Sequence, residues 1–333
     1  MTLRVHHLNC MSARMPGVRH PLVAHCVLAE AADGLVLADT GLGLGDVHDP
    51  EMRLSKFFLG LLKPQLRADM TAARQIERLG YRTSDVRDII LTHLDFDQAG
   101  GLDDFPRARV HVTTRERDHA FAQRTWLDRQ RFRPQQWSTR NRWIAYDTHE
   151  IGGDWMGLAS VRAFAGLPPD FLLVPLPGHS RGHAGVAIHG DRGWLLLAGD
   201  AFFDPGELQP QRHCSAGLRL FQRLMDVDRP ARLASQQALR KFQNEHPEVT
   251  VFCTHDPVAF EHLSGRAAHQ PPEARRSPGD PYVEKIVRRP IDMPLAPRTA
   301  APGLEVIDYD DDINIDLDSV APPRSSDGVR SNR

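Results

Sequence analysis

Blocks of apolar residues alternate with polar loops and amphipathic segments along the first 260 residues. The apolar runs at 22–29 and 35–38 predict two strands, joined by the turn Ala32-Asp33-Gly34. Residues 68–79 place apolar side chains at helical spacing and end at Gly80, which predicts a helix closed by a glycine. The same patterns predict further strands at 86–95, 107–114, 194–203 and 249–256, and a helix at 230–245. This repeated order of strand, loop and helix predicts an α/β protein.

The composition changes near residue 265, which suggests a division of the chain. Ten of the 25 prolines lie in residues 265–333, and an acidic stretch, EVIDYDDDINIDLD, lies near the end. Because this segment has few large apolar residues, it cannot bury enough surface to fold alone. We therefore predict a catalytic domain at 1–264, followed at 265–333 by a proline-rich, acidic segment that is a mobile tail or a strap along the domain surface.

The bulk composition excludes several classes of protein. A hydrophobic fraction of 41% is enough for a sizeable core, and the net charge of −2 gives no general attraction to nucleic acid or to anionic membranes. The four cysteines are scattered without a CxxC pair, which favours a reducing compartment. The first ten residues lack the apolar stretch of a signal peptide, and no apolar run approaches the roughly 20 residues of a membrane span. We expect a cytoplasmic protein that has neither a nucleic-acid nor a membrane partner; the sequence does not indicate its oligomeric state.

Acidic residues and histidines recur where the predicted strands end. A single Asp after a strand is most often a turn or capping residue, and a single His is most often hydrogen-bonded in a core. Here five such segments follow one another, and open sheets bind their ligands at strand ends. They contain Asp39, the cluster THLDFDQAGG at 92–101, His179, Asp200 and His255.

The cluster at 92–101 is the clearest candidate for metal binding. In an extended segment alternate side chains point the same way, so we expect His93, Asp95 and Asp97 to project together. One imidazole and two carboxylates at this spacing suit a divalent metal, zinc especially. Gly100 and Gly101 then allow the backbone to turn tightly beside the site.

On these residues the chain resembles metallo-β-lactamase-fold hydrolases over residues 5–260. The pattern of that family is an Asp after a strand, HxHxDH, a later His, a bridging Asp and a final His. It is matched here at Asp39, His93, Asp97, His179, Asp200 and His255. The resemblance implies an αββα sandwich with metals in a cleft at one edge between the two sheets.

Two positions depart from the family pattern. Asp95 stands where the family has its second histidine, and Gln98 stands where it has the histidine after the aspartate. The resemblance implies a first ion held by His93, Asp95 and His179, a second held by Asp97, residue 98 and His255, and a bridging Asp200. Since Asp95 is a competent oxygen ligand and Gln98 a poor zinc ligand, we expect one or two Zn²⁺ per chain, with the second site weakened.

The same resemblance implies an activity. A metal-bound hydroxide would attack a carboxylic ester, lactone or thioester of a small-molecule substrate, and family analogy favours lactones. Asp97 would position the nucleophile or carry its proton to the leaving group. Asp39 would orient a ligand such as His179 or His255 by hydrogen bonding.

Two other functions remain open at this stage. His93, His179 and Asp200 could form a two-histidine, one-carboxylate set for Fe²⁺, as in sulfur dioxygenases of this fold. Alternatively, Asp95 and Gln98 could mark a member that binds a metal or ligand without catalysis.

Five further histidines are better explained by packing or surface positions. We expect His183 to pack near the site rather than ligate, and His6, His7 and His25 to lie in the core or at the surface. His213 has no spaced partner that would make a metal site.

An insertion at 115–147 mixes three tryptophans with arginines. Basic residues interleaved with aromatic ones can bind single-stranded nucleic acid. We favour an insertion whose aromatic side chains pack on the core while its arginines extend into water; a lid over the cleft is a third interpretation. The tryptophans are Trp126, Trp137 and Trp143, and the arginines are Arg115, Arg117, Arg124, Arg129, Arg131, Arg133, Arg140 and Arg142.

Overall fold

The computed structural model describes residues 2–138, 140, 142–148, 152–161, 166–274 and 305–306. Its strands are β1 (Arg4–Ala13), β2 (Leu22–Ala31), β3 (Gly34–Ala38), β4 (Val86–Ile90), β5 (Arg109–Thr113), β6 (Trp143–Tyr146), β7 (Gly152–Trp155), β8 (Leu158–Val161), β9 (Phe171–Pro175), β10 (Ala184–Gly190), β11 (Gly193–Leu197), β12 (Thr250–Phe252) and β13 (Glu305–Val306). Its α-helices are α1 (Leu44–His48), α2 (Pro50–Arg53), α3 (Lys56–Leu62), α4 (Ala72–Arg78), α5 (Phe96–Ala99), α6 (Thr114–Ala122), α7 (Trp126–Arg131), α8 (Ala216–Met225), α9 (Arg229–Glu245) and α10 (Pro257–Ser264).

The strands form two sheets, of order β1-β2-β3-β4-β5-β6-β13 and β12-β11-β10-β9-β8-β7. In the first sheet β3, β4, β5 and β6 run parallel, and in the second β11 and β12 run parallel. Parallel strands end at the same edge of a sheet, so the loops that follow them converge there. The predicted α/β class is confirmed.

Three layers of apolar side chains hold the sandwich together. Between the sheets, Val27 and Ile90 of the first sheet pack in one cluster with Phe171 and Val186 of the second. On the outer face of the first sheet, Ile76 of α4 joins another cluster. On the outer face of the second sheet, α9 contributes to a third cluster through Leu239 and Phe242. Helices therefore cover both outer faces, and the expected αββα arrangement is confirmed.

The predicted helix at 68–79 begins later than its apolar pattern indicates. The α-helix begins after Thr71, whose side chain accepts a hydrogen bond from the backbone N–H of Arg74. Residues 68–70 form a separate 3-10 turn. Because the side-chain cap satisfies a free N–H of the first helical turn, it sets the start of the helix more strongly than apolar spacing does. Gly80 follows the helix with a φ of 89°, a left-handed conformation that favours glycine.

The described part of the C-terminal segment lies against the domain. Asn9 donates a hydrogen bond from Nδ2 to the carbonyl of Ala268 over 2.7 Å, and Arg78 donates to the carbonyl of Pro272 over 2.6 Å. β13 pairs antiparallel with β6. The other residues of the predicted tail, 275–304 and 307–333, lie outside the described residues. Among the helices that the structure describes, none is both long and apolar enough to span a bilayer.

The N-terminal histidines have partners within the protein. His6 Nε2 lies 2.6 Å from Glu30 Oε1, and His7 Nδ1 lies 2.9 Å from His25 Nε2. Burial lowers the pKa of His25 well below its ordinary value, so this histidine is neutral in the folded protein. These side chains stabilise the sheet and its N-terminal edge, which agrees with the packing role predicted for them.

Replacement of Phe260 by Ala tests how strongly α10 contributes to the core. Phe260 is fully buried and its ring lies 5.1 Å from that of His25, so Phe260→Ala should lower the free energy of unfolding by about 3–5 kcal/mol. Val258 on the same helix is 62% exposed, and Val258→Ala should change it by less than about 0.5 kcal/mol. Urea unfolding measures both. Equal effects of the two substitutions would contradict the packing described.

Candidate metal centre

The structure brings the five predicted segments together at one edge of the sandwich. Asp39 follows β3, the cluster at 92–97 follows β4, and His255 follows β12. His179 lies between β9 and β10, and Asp200 follows β11. All six predicted ligands are buried: His93, Asp95, Asp97, His179, Asp200 and His255, with Asp97 the most exposed at 6%. Such burial of carboxylates is unusual unless they are paired or bind a metal.

Four donor atoms form a compact group at the centre of this site. Asp95 Oδ2 lies 3.5 Å from His93 Nε2 and 3.0 Å from His179 Nε2. Asp200 Oδ2 lies 3.7 Å from His93 Nε2 and 3.4 Å from His179 Nε2. Donors around a tetrahedral zinc ion are separated by about 3.3–3.6 Å, given bond lengths of about 2.0–2.2 Å. One ligand atom of each of His93, Asp95 and His179 lies within 4.8 Å of the others, so these three residues could hold one divalent ion, and Asp200 Oδ2 lies beside the two histidines.

The electrostatics of the group also favour a cation. Burial alone would lower the pKa of His93, but the carboxylates of Asp95 and Asp200 raise it to about 9. Burial would likewise lower the pKa of His255, and Asp200 and Asp97 raise it to about 10. A site that raises the pKa of two buried histidines carries an excess of negative charge.

A hydrogen-bonded chain orients His93. Asp39 accepts from the backbone N–H and the hydroxyl of Thr92, both over 2.8 Å, and that hydroxyl accepts from His93 Nδ1 over 2.9 Å. The Nε2 lone pair of His93 then faces the donor group. The ligand that Asp39 reaches is His93 rather than His179 or His255, because β3 pairs with β4 and so places Asp39 beside residue 92. Burial raises the pKa of Asp39 to about 7.

Asp97 does not continue the alternation of His93 and Asp95. Asp95 is the N-cap of α5, so the chain turns into a helix at Phe96, and Asp97 lies in the first helical turn. The expectation that all three side chains project from one extended strand is therefore wrong for Asp97. Its Oδ2 lies 3.8 Å from His255 Nε2 instead. Burial, with the charges of Asp200 and Asp95, raises the pKa of Asp97 to about 6.

A second set of donors faces Asp200 from the other side. His255 Nδ1 lies 2.7 Å from the carbonyl of Val23 and donates to it, which directs Nε2 toward Asp200 Oδ2 at 3.1 Å. Gln98 is fully buried beside Asp97, and neither atom of its amide has a hydrogen-bond partner among the described residues. Since buried polar atoms are nearly always paired, these atoms and the unpaired Asp200 Oδ1 suit a group that no side chain of the described part supplies.

His183 holds Asp200 in place. Its Nδ1 lies 2.8 Å from the carbonyl of Leu176 and donates to it, while its Nε2 accepts from the backbone N–H of Asp200 over 2.8 Å. Both ring nitrogens are thus used within the protein. This matches the packing role predicted for His183.

Two charged residues at the site, Glu116 and Arg131, lie in no motif that would have predicted their roles. Glu116 is fully buried and accepts from the backbone N–H of Leu94, the hydroxyl of Ser180 and the N–H of Gly182, so it connects the loops of His93 and His179. Arg131 is also fully buried and contacts Asp95. The acidic residue at 95, in place of a neutral histidine, was the one hint that a buried cation would be needed.

The arginine-rich insertion therefore differs in part from its prediction. Trp137 and Trp143 are buried, whereas Trp126 is 55% exposed and its ring lies 5.1 Å from that of Phe57. The expectation that the arginines extend into water is wrong for Arg131, because a buried carboxylate needs an opposite charge.

Comparison with known proteins identifies the family. Residues 20–255 match the family described as the metallo-beta-lactamase superfamily. The chain belongs to this superfamily. A Mycobacterium tuberculosis protein named "Probable metallo-hydrolase" is 39% identical over 260 residues, which cover 78% of this chain and 82% of the relative. This superfamily member is a metallo-hydrolase.

More distant relatives carry more specific names. An N-acyl homoserine lactonase of Bacillus thuringiensis is 27% identical over 198 residues, which cover 59% of this chain and 71% of the relative. The crystal structure of a variant of AiiA from B. thuringiensis, with N-decanoyl-L-homoserine at its active site, matches with a TM-score of 0.61. It is 20% identical and covers 80% of this chain and 98% of its own. That likeness confirms the fold.

Replacement of Thr92 tests the chain from Asp39 to His93. Thr92→Val keeps the shape of the side chain but removes the hydroxyl that links Asp39 to His93. We expect zinc affinity to fall about 10–100-fold, the usual effect of losing a group that orients a ligand. Thr92→Ser keeps the hydroxyl and should bind zinc as the wild type does. Competition with a chromogenic chelator measures the affinities; equal affinities for the Val and Ser variants would contradict this role.

Proposed function

We propose that this metallo-hydrolase opens lactone rings with a divalent ion bound to His93, Asp95, His179 and Asp200. The observation that carries the proposal is the buried group of His93, Asp95 and His179, with Asp200 Oδ2 3.7 and 3.4 Å from the two histidines. The names of the Bacillus relatives favour a lactone among the ester-type substrates. Zinc suits this mixture of imidazole and carboxylate ligands.

The chemistry divides between the ion and the protein. When bound, a divalent ion lowers the pKa of water toward 7 and polarises a carbonyl oxygen. The protein orients the donors through Thr92 and Asp39 on one side and through Val23 and His183 on the other. These contacts fix the tautomers of His93 and His255, so that the lone pair on Nε2 of each is available to bind an ion.

Asp97 is the group that we assign to proton transfer. It is the most exposed of the six predicted ligands, and its closest described charged partner, His255 Nε2, lies 3.8 Å away. Its carboxylate would take a proton from the attacking water and return it to the alkoxide oxygen as the ring ester bond breaks. The hydroxyl adds to the acyl carbon, the ring C–O bond breaks, and the product is a hydroxy acid.

Aromatic side chains border the donors on one side. The ring of Phe203 packs edge-on against His255 at 5.0 Å and lies 6.0 Å from His179. Phe221 packs on Phe203 at 5.7 Å. Such apolar neighbours lower the local dielectric, which strengthens the electrostatic interactions on which ester hydrolysis depends.

A substrate panel tests the proposed reaction. Zinc-loaded protein should open N-acyl homoserine lactones and simple γ-lactones faster than it cleaves linear esters, thioesters or phosphotriesters. His179→Ala removes a proposed ligand, so kcat/KM should fall by more than about 100-fold. That is the largest loss usually seen when a residue that only hydrogen-bonds to a ligand is replaced. His213, an exposed histidine, supplies the matched control, and His213→Ala should leave the rate unchanged. Thiol-dependent oxygen uptake by an iron-loaded sample, without lactone opening, would sink the proposal.

Replacement of Gln98 tests the number of ions. Gln98 is buried next to Asp97, and an imidazole there would complete the set of Asp97, Asp200 and His255. We expect Gln98→His to raise the zinc content from about one to about two ions per chain, since imidazole binds zinc far better than an amide does. Gln98→Met, of similar size, should stay at about one ion. Elemental analysis after gel filtration gives the ratio, and two tightly bound ions in the wild type would refute the weakened second site.

A further inference from the structure

Asp95 places a buried negative charge at the site, and the guanidinium of Arg131 pairs with it. Asp95 replaces a neutral histidine of the family pattern and is 2% exposed. The guanidinium of Arg131 binds it in a fork, with Nε 2.6 Å from Oδ1 and Nη2 2.7 Å from Oδ2. Burial alone would raise the pKa of Asp95, yet the charge of Arg131 and that of His93 hold it well below its usual range. Two parallel N–H···O contacts of this kind join a guanidinium to an ionised carboxylate, so Asp95 is a carboxylate.

Four N–H groups of Arg131 fix its position by donating to oxygen atoms. Nη1 donates to the carbonyls of His179 and Met225, over 3.2 and 2.8 Å, and Nη2 lies 2.7 Å from His179 Nε2 as well as from Asp95. With Nε on Asp95, four of the five guanidinium N–H groups donate to oxygen atoms. The fifth faces His179 Nε2, and an ion bound to Nε2 would replace this contact. The neighbouring Phe132 also forms an isolated β-bridge with Asp95. The fold thus brings residue 131 to residue 95 through the backbone as well as through the side chain.

The charges explain why the two residues belong together. A family-type donor set of three histidines and the bridging aspartate carries a charge of −1. Asp95 makes the set of His93, Asp95, His179 and Asp200 carry −2, and Arg131 adds +1, which restores −1. Asp95 with Arg131 is therefore equivalent in charge to the histidine that it replaces.

We propose that Arg131 is a positioning residue for the metal centre, the fixed counter-ion that allows an aspartate to serve as a ligand at position 95. The planar guanidinium of Arg131 fixes the plane of the Asp95 carboxylate. Oδ2 of Asp95 keeps a second lone pair that is available to the ion. A lysine could balance the charge but could not fix that plane, because its ammonium is a single point charge. The proposal rests on the metal binding of the proposed function and is independent of its substrate.

Paired substitutions at 95 and 131 test the proposal by zinc affinity, measured by chelator competition without substrate. Asp95→His supplies an imidazole but leaves the guanidinium beside the ion without its partner, so affinity should fall by more than about 100-fold. The double variant Asp95→His/Arg131→Met removes that cation and should bind zinc within about 10-fold of the wild type. Arg131→Met alone should bind about 10–100-fold more weakly, since Asp95 loses both orienting hydrogen bonds.

Two controls separate positioning from support of the fold. Arg133 is half-buried and donates to the carbonyl of Arg53, away from Asp95, so Arg133→Met should keep wild-type zinc affinity. Arg131→Lys retains the charge in case Arg131→Met does not fold, and the loss of the fork should still lower affinity about 10-fold. Thermal unfolding of each apo-protein identifies variants that have lost the fold.

Three results would overturn the proposal. The double variant could bind zinc no better than Asp95→His, which would make Arg131 a purely structural residue. Arg131→Met could bind one ion more per chain than the wild type, which would mean that the guanidinium occupies the place of an ion. Arg131→Lys could match the wild type, which would remove the need for the fork. Because no arm uses a lactone, failure to open lactones leaves these results interpretable.

Discussion

The structure of this superfamily member depends on how it compensates three carboxylates buried at one end of the sandwich. Asp95, Asp97 and Asp200 are at most 6% exposed, and like charges so close together repel strongly where water is excluded. Histidines and one arginine surround them, and the pKa of His93 and of His255 rises in response. A divalent ion would remove the remaining excess of negative charge, so burial of these acids and metal binding are two aspects of one arrangement.

The secondary structure serves this arrangement by ending strands at a common edge. The parallel neighbours β3 and β4 bring Asp39 next to Thr92, and the parallel neighbours β11 and β12 bring Asp200 next to His255. Backbone groups then fix the side chains: the carbonyl of Val23 directs His255, and the N–H of Asp200 is held by His183. The neighbouring strands and their backbone groups thus position the metal-binding side chains. Few side-chain rotamers are compatible with these contacts.

The sequence predicts this site where its signals are local. His93, Asp95, His179, Asp200 and His255 each follow a recognisable apolar run, so spacing and order were enough to place them at one edge. Asp97 was misplaced because capping of α5 at Asp95 ends the alternation, and capping outweighs periodicity at a helix start. Which histidine Asp39 reaches cannot be predicted from the sequence, because strand order, rather than proximity along the chain, decides its neighbour.

Arg131 and Glu116 could not be predicted in the same way, since each acts on residues far away in the chain. Arg131 looks like its neighbours Arg129 and Arg133, and only the bridge between Phe132 and Asp95 distinguishes it. The sequence does contain a charge imbalance, because Asp95 is an aspartate where the family pattern has a neutral histidine. A buried cation is needed to balance that charge. A substitution that adds a buried charge at a ligand position implies an opposite charge nearby, whichever segment supplies it.

That compensation changes the atoms of the proposed ligand set, while Arg131 keeps the combined charge at −1. The set of His93, Asp95, His179 and Asp200 has two nitrogen and two oxygen donors, where three histidines and an aspartate would offer three nitrogens and one oxygen. Oxygen donors favour harder ions, so the exchange moves the preference of the site away from soft metals and toward ions such as Mn²⁺ and Fe²⁺. Arg131 weakens this oxygen ligand, because its two hydrogen bonds withdraw electron density from Asp95. We therefore expect the metal preference of the proposed site to depend on the hard oxygen of Asp95 and on how far Arg131 weakens it.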